Sequence, residues 1–165
     1  MIGASLTEAF MPEFSLTQVE PRPYLYVEGR ARMDPGAISE AMGEAFDTVM
    51  DFQEAHGIAA DGPPLSVYYG YSETEIAFRA GVIVSEADLA AATGELLADH
   101  TPGGRVLHFT HVGSYATLRD DYGLMMEHVA ARGLTLGAPT WEVYVDDPET
   151  TPEHRLRTEV YVTLA

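Results

Sequence analysis

The chain of 165 residues contains no cysteine, so neither disulfides nor thiolate chemistry can contribute to its stability or function. It contains no lysine either: all nine basic residues are arginines, set against 26 acids for a net charge of −17. A surface of that sign repels phosphate backbones, no basic stripe offsets it, and no direct nucleic-acid partner is expected. The same field attracts cations, although salt screens it beyond about 8 Å at physiological strength. No run approaches the roughly 18 apolar residues that a membrane helix needs, so no membrane partner is expected. The opening residues, MIGASLTEAFMPEF, lack a basic region and an uninterrupted apolar core, and so do not read as a signal peptide. With no address of any kind, a cytoplasmic location is the expectation. There is also no P-loop, no G-x-G-x-x-G, and no G-x-S-x-G elbow around Ser114.

What remains is an ordinary globular composition, 46% hydrophobic and 21% charged, in a length that suits one domain with a buried core. Within it lies an internal repeat. MGEAFDTVMDFQEAHGI (42–58) lies over LRDDYGLMMEHVAARGL (118–134) without a gap, so Phe46 meets Tyr122 and Gly57 meets Gly133. Around these, YLYVEGR (24–30) matches HFTHVGS (108–114), GPPLSVYYG (62–70) matches GAPTWEVYV (137–145), and FRAGVIV (78–84) matches LRTEVYV (156–162). Each half reads strand, helix, strand, strand. Ile38, Met42, Phe46, Val49 and Met50 form one helical stripe; Leu118, Tyr122, Met125, Met126 and Val129 form another, and both are expected in the core. Asp34 suits an N-cap, Pro35 the first helical position, and Gly57 and Gly133 the left-handed residue past each helix. Ser85 and Asp88 are placed for a capping box over a short helix. The expectation is an α+β fold, one domain over 1–165. Its first βαββ half spans 24–84, a linker 85–104 and the second half 105–165. Because a lone βαββ unit leaves edges and one face exposed, the two copies are expected to share one antiparallel sheet about a pseudo-twofold axis. Two long helices then pack on one face.

Alternation puts Glu142 and Tyr144 on one side of TWEVYVDDP, and Glu159 and Tyr161 on one side of LRTEVYVTL. The first half carries Val67 and Tyr69, then Gly81 and Ile83, at the equivalent places, so the repeat does not need these carboxylates for its fold. A buried carboxylate without a partner costs several kcal/mol. Either the two glutamates face water or pair with Arg155 and Arg157, or they line a binding pocket. His108 and His111 stand three apart on a strand and point to opposite faces, and the other histidines are scattered, so no metal or cofactor is expected.

The string GRVLHFTHVGSYATLRDDYGLMMEHVAARGLTLGAPTWEVYVDDPETTPEHRLRTEVYVTL (104–164) resembles the second half of GyrI-like domains. The shared order is a strand, H-x-G-x-Y, a helix, G-L, G-x-P, a strand with Glu then Tyr, D-P, and a closing T-E strand. The first half resembles the family more weakly, through the repeat and FRAGVIV. The resemblance implies a tandem βαββ fold with a cleft for small compounds, often lipophilic and cationic. Similar domains are effector sensors of MerR-type and AraC-type transcription regulators, standalone gyrase inhibitors, or hydrolases that open cyclopropane-containing compounds. In the multidrug sensors an acidic residue at the position matching Glu142 meets the cationic drug. The position matching Glu159 is acidic there too, and Tyr161 falls on a pocket aromatic. The expected ligand-binding set is Glu142, Glu159, Tyr161, Phe46, Tyr69, Leu118 and Tyr122; Glu142 and Tyr144 would be catalytic if the chain is an enzyme. Too few residues precede Phe14 for a helix-turn-helix, so a standalone domain is expected.

Three functions stay open. A binding domain for a lipophilic cation needs only a desolvated carboxylate among rings, where each cation–π contact adds about 0.5–2 kcal/mol. A hydrolase of strained rings would use the same Glu as acid or base and a Tyr to polarise the substrate. An acidic protein-interaction module of the gyrase-inhibitor type would instead engage a basic partner. The charge balance yields the first testable expectation: micromolar protein at physiological salt shows no retention on immobilised duplex DNA. Retention that weakens as salt is added would overturn that reading.

Overall fold

A computed structural model of the protein describes residues 11–165; the first ten, part of the stretch read above for a leader, lie outside that range. β1 (Ser15–Val19) and β2 (Pro23–Arg32) lead into α1 (Pro35–His56). The Asp34 side chain accepts from the Ala37 N–H at 2.9 Å, Pro35 opens the first turn, and Gly57 closes the helix at φ 64°. β3 (Pro64–Tyr71) and β4 (Glu75–Ile83) form a hairpin, followed by β5 (Leu97–His100), β6 (Gly104–Val112) and α2 (Leu118–Arg132). That second helix also ends on a left-handed glycine, Gly133 at φ 63°. β7 (Leu136–Tyr144) and β8 (Arg157–Leu164) complete the chain.

The strands pair antiparallel in one sheet of order β1-β6-β8-β7-β3-β4-β2-β5. The segment 85–104 is therefore more than a linker. After a three-ten turn at Glu86–Ala91 it supplies β5, which covers the outer edge of β2. β1 covers β6 in the same way. The expected capping box does not form: the Ser85 hydroxyl donates to the Asp88 carboxylate at 3.0 Å and caps no backbone amide.

Register decides which residues meet. The cross-strand row Val27–Ala80–Ser66–Glu142–Val160–Phe109 runs across six strands on one face. On that face α1 buries Ala45 and Val49 against Leu25, Phe78 and Val82, while α2 buries Leu118, Met125 and Val129 against Leu107, Phe109 and Val162. Both helices thus lie on the same side of the sheet. Their stripes are only partly core: Met50 and Met126 are 62% and 53% exposed. Each stands one turn beyond Phe46 or Tyr122, on the flank of its helix rather than beneath it. The opposite face holds a second cluster with Tyr24, Tyr26, Leu65, Val67 and Trp141. Among the described residues no helix is long and apolar enough to cross a membrane.

Two glycines test this packing with opposite signs. A Cβ on Gly81 would stand 2.5 Å from the Leu25 carbonyl oxygen, a backbone atom that the sheet holds in place. Gly81→Ala is expected to destabilise by about 1–3 kcal/mol in urea denaturation, the usual range for overpacking. Gly43 lies inside α1 with nothing within 4 Å of its Cβ position. Gly43→Ala is expected to stabilise by about 0.5–1 kcal/mol, because it removes backbone freedom from the unfolded chain.

Candidate functional site

Glu142 sits where the two hairpins meet, on β7 directly opposite Ser66 of β3, and is 5% exposed. Its neighbours are hydroxyls. Tyr122 of α2 donates to Oε2 at 2.6 Å, and Tyr144, two residues on along β7, donates to Oε1 at 2.7 Å. Tyr68 of β3 reaches the same Oε1 more weakly, at 3.4 Å. The Tyr144 and Ser66 hydroxyls are 2.9 Å apart, and Ser66 Oγ lies 3.4 Å from Met42 Sδ of α1. Since Tyr144 has one proton and gives it to the carboxylate, Ser66 supplies the proton between the two hydroxyls. No basic side chain among the described residues is within ion-pair distance of Glu142.

Aromatic rings enclose this group. Phe46 of α1 meets Tyr144 edge-on at 6.1 Å, and Tyr115, from the turn before α2, meets it edge-on at 5.5 Å. Phe109 supports Tyr122 from below, edge-on at 5.8 Å. Tyr115 is 40% exposed and forms the outer cover. Glu142 itself is buried; surface grooves lie elsewhere, at the end of α1 beside Met50 and Ile58, and between α1 and β2 beside Glu28 and Glu44.

Burial raises the Glu142 carboxyl above its ordinary value, opposed by the bonds from Tyr122, Tyr144 and Tyr68 and by the nearby His111 imidazole. The three tyrosines are raised in turn, by their own burial first and then by the Glu142 charge. The arrangement buries a carboxyl among hydroxyls and aromatic rings, with no basic side chain within ion-pair distance among the described residues.

The expected residues divide across the sheet. Glu142, Tyr144, Tyr122 and Phe46 come together, and Leu118 is buried beneath the start of α2. Glu159 and Tyr161 face the other way, because Glu159 pairs across the strands with Val143 and Tyr161 with Trp141. There Glu159 accepts from the Thr110 hydroxyl at 2.9 Å and pairs with His108, while Tyr161 stacks on Trp141 at 5.2 Å. Tyr69 is on that side too, its ring 4.5 Å from the Arg79 guanidinium. Neither glutamate pairs with Arg157, which instead holds Asp146 through two bonds of 2.9 Å.

One expectation is corrected. Val67 is not the counterpart of Glu142: it pairs with Trp141 on the opposite face. Matching GPP to GAP dropped one residue, and a one-residue slip turns every side chain over. The offset that relates Gly57 to Gly133 also relates Ser66 to Glu142 and Tyr68 to Tyr144. Carried through without a gap, the helix overlay was the signal for Ser66 and Tyr68.

The pH dependence follows from the raised carboxyl. In the folded state the ionised form is disfavoured, so its stability contribution is fully present below the ordinary carboxyl value. It is lost as pH rises through the folded value. Glu142→Gln removes that titration. The variant is expected to be at least as stable as the wild type at about pH 7.5, with its relative stability falling towards about pH 4, where the wild-type carboxyl is protonated. Urea denaturation at the two pH values reads the difference; a variant equally affected at both would refute a raised Glu142.

Comparison with known proteins agrees with the fold. EcmrR in a DNA complex is 16% identical with a TM-score of 0.74, the match covering 99% of this chain and 63% of that one, so this chain spans less than two thirds of EcmrR. SAV2435 bound to tetraphenylphosphonium is 11% identical with a TM-score of 0.65 over 93% of this chain and 94% of that one. A hydrolase from Listeria innocua is 14% identical with a TM-score of 0.58 over 99% and 98%. No curated protein matches the chain. The GyrI-like small molecule binding domain matches residues 12–165. With that match running over nearly its whole length, the chain belongs to the GyrI-like small molecule binding domain family.

Proposed function

We propose that the chain binds a lipophilic cation at the buried Glu142 site between α1 and α2, with Glu142 recognising the charge and Phe46, Tyr122 and Tyr144 supplying ring faces. The observation that carries this reading is the Glu142 carboxylate, 5% exposed, bonded only to hydroxyls and lacking a basic partner among the described residues. Hydroxyl donors lower the energy of a buried carboxylate but leave its charge in place. A cation entering such a site gains Coulomb attraction undiluted by water and contacts with aromatic rings. The similar fold of SAV2435, bound to tetraphenylphosphonium, supports the same ligand class. The chain is then a single binding domain of two βαββ halves, 24–84 and 105–165, whose seam at β3 and β7 is the floor of the site.

A hydrolytic reading draws on one further observation, the continuous chain of hydroxyls from Ser66 through Tyr144 to Glu142. A carboxyl raised by burial can move a proton, and Tyr144 can polarise a carbonyl. Product formation from a strained-ring substrate, lost in Glu142→Gln, would establish this second reading.

Calorimetric titration tests the first. With a matched pair of ligands, one cationic and one neutral, Glu142→Gln is expected to weaken the cation by roughly 1–3 kcal/mol, the range for interactions with a charged group. The neutral ligand should be affected much less. Equal losses for the two ligands, or none for either, would remove Glu142 from charge recognition.

A further inference from the structure

The H-x-G-x-Y turn, His111 to Tyr115, joins β6 to α2. His111 is buried, with its side chain 4% exposed, and its Nδ1 lies 2.6 Å from Oδ2 of Asp121 in the first turns of α2. Its Nε2 lies 2.9 Å from the Ser114 carbonyl oxygen and 3.3 Å from Thr117 Oγ1. The ring therefore fastens the turn with one nitrogen and the helix with the other. Gly113, at φ 129°, adopts the conformation that lets the chain fold back over the ring, and its N–H donates to the Leu156 carbonyl at 2.8 Å.

Asp121 is followed directly by Tyr122, whose hydroxyl donates to Glu142. Adjacent helical residues rise only about 1.5 Å and point about 100° apart, so the two side chains reach different strands yet cannot move independently. His111 lies on β6 and Glu142 on β7, the two neighbours of β8. The start of α2 straddles β8 and is tied on both sides. Beneath it Thr158 of β8, between Tyr144 and His111 in the register, is fully buried with its hydroxyl unpartnered, and so makes no third tie.

We infer that the His111–Asp121 pair is the positioning device of the Glu142 site: it holds the first turns of α2 in the place where the Tyr122 hydroxyl meets the carboxylate. Asp121 acts through Tyr122, and neither Asp121 nor His111 touches the ligand. The inference takes Glu142 as the ligand-contacting group proposed above, but its test needs no ligand, so the two can fail separately.

The test follows the titration of the Glu142 side-chain carboxyl by isotope-edited NMR in a double-mutant cycle. Tyr122→Phe removes a bond that favours the ionised form, so the midpoint should move to higher pH. Asp121→Ala should move it in the same direction by releasing Tyr122, and Asp121→Ala/Tyr122→Phe should move it no further than Tyr122→Phe alone. Asp121→Asn keeps an acceptor oxygen for His111 and should restore part of the change; it also serves as the test variant if Asp121→Ala does not fold. Val129→Ala, which loosens the packing of the same helix, should leave the midpoint at the wild-type value. The inference is overturned if Asp121→Ala leaves the midpoint unchanged, or if its effect persists in full when Tyr122 is already Phe, which would mark a direct charge effect. It is also overturned if Val129→Ala produces the same change, since general loosening would then suffice.

Discussion

Taking a carboxylate out of water costs several kcal/mol even after a protein relaxes around it, and Glu142 meets that cost chiefly with three tyrosine hydroxyls. The rest of the helix face is arranged by this requirement. Tyr144 comes from the same strand, Tyr68 from the neighbouring hairpin and Tyr122 from α2, so one side chain ties both hairpins to the second helix. A guanidinium in the same place would have satisfied the oxygens and cancelled the charge. Tyrosine hydroxyls satisfy the oxygens without cancelling the charge, and that distinguishes Glu142 from a buried structural ion pair.

The opposite face of the sheet shows what compensation looks like in this same protein. Arg79 lies 4.3 Å from the Tyr26 ring and 4.5 Å from the Tyr69 ring, and its charge is answered by Asp99 at 2.7 Å. Glu159 is answered by His108 and Thr110. Both charges are partly open to solvent, where such pairs contribute little net stability but leave little unsatisfied attraction. Glu142 and Glu159 follow the same Glu-x-Tyr spacing, and only the alternation of side chains across the register sends one to the helices and the other away.

Much of this was legible in the residues. The helices announced themselves through Asp34, Pro35, Gly57 and Gly133, because capping chemistry is local and leaves a sequence trace. The hairpins were visible as alternating runs; of the expected set, Glu142, Tyr144, Tyr122 and Phe46 come together, while Glu159, Tyr161 and Tyr69 lie on the other face. β1 and β5 were not visible: SLTQV and LADH are short and mostly exposed, and they are strands because an open edge lies beside them. Tyr68 and Ser66 were hidden by a one-residue slip in the overlay. Asp121 was hidden for another reason. An acid in the first turns of a helix is already accounted for by the helix dipole, so nothing in the string marks it as the partner of His111.

If the proposed reading holds, the burial of Glu142 sets how the site discriminates among ligands. Phe46 and Tyr115 press on Tyr144 from two sides, and the tyrosine hydroxyls occupy both oxygens of Glu142. Any molecule that reaches the carboxylate must move rings, and those rings lose contacts with each other and bonds to the charge. Binding is then a difference between two sets of interactions, and a small polar molecule that offers one hydrogen bond regains too little to open the site. The large apolar cation of the proposed reading would regain more, because it would present surface to the displaced rings and charge to Glu142 together. Under the proposed cation-binding reading, selectivity for size and charge would follow from this burial: the same rings that cover Glu142 would set the threshold a ligand has to exceed.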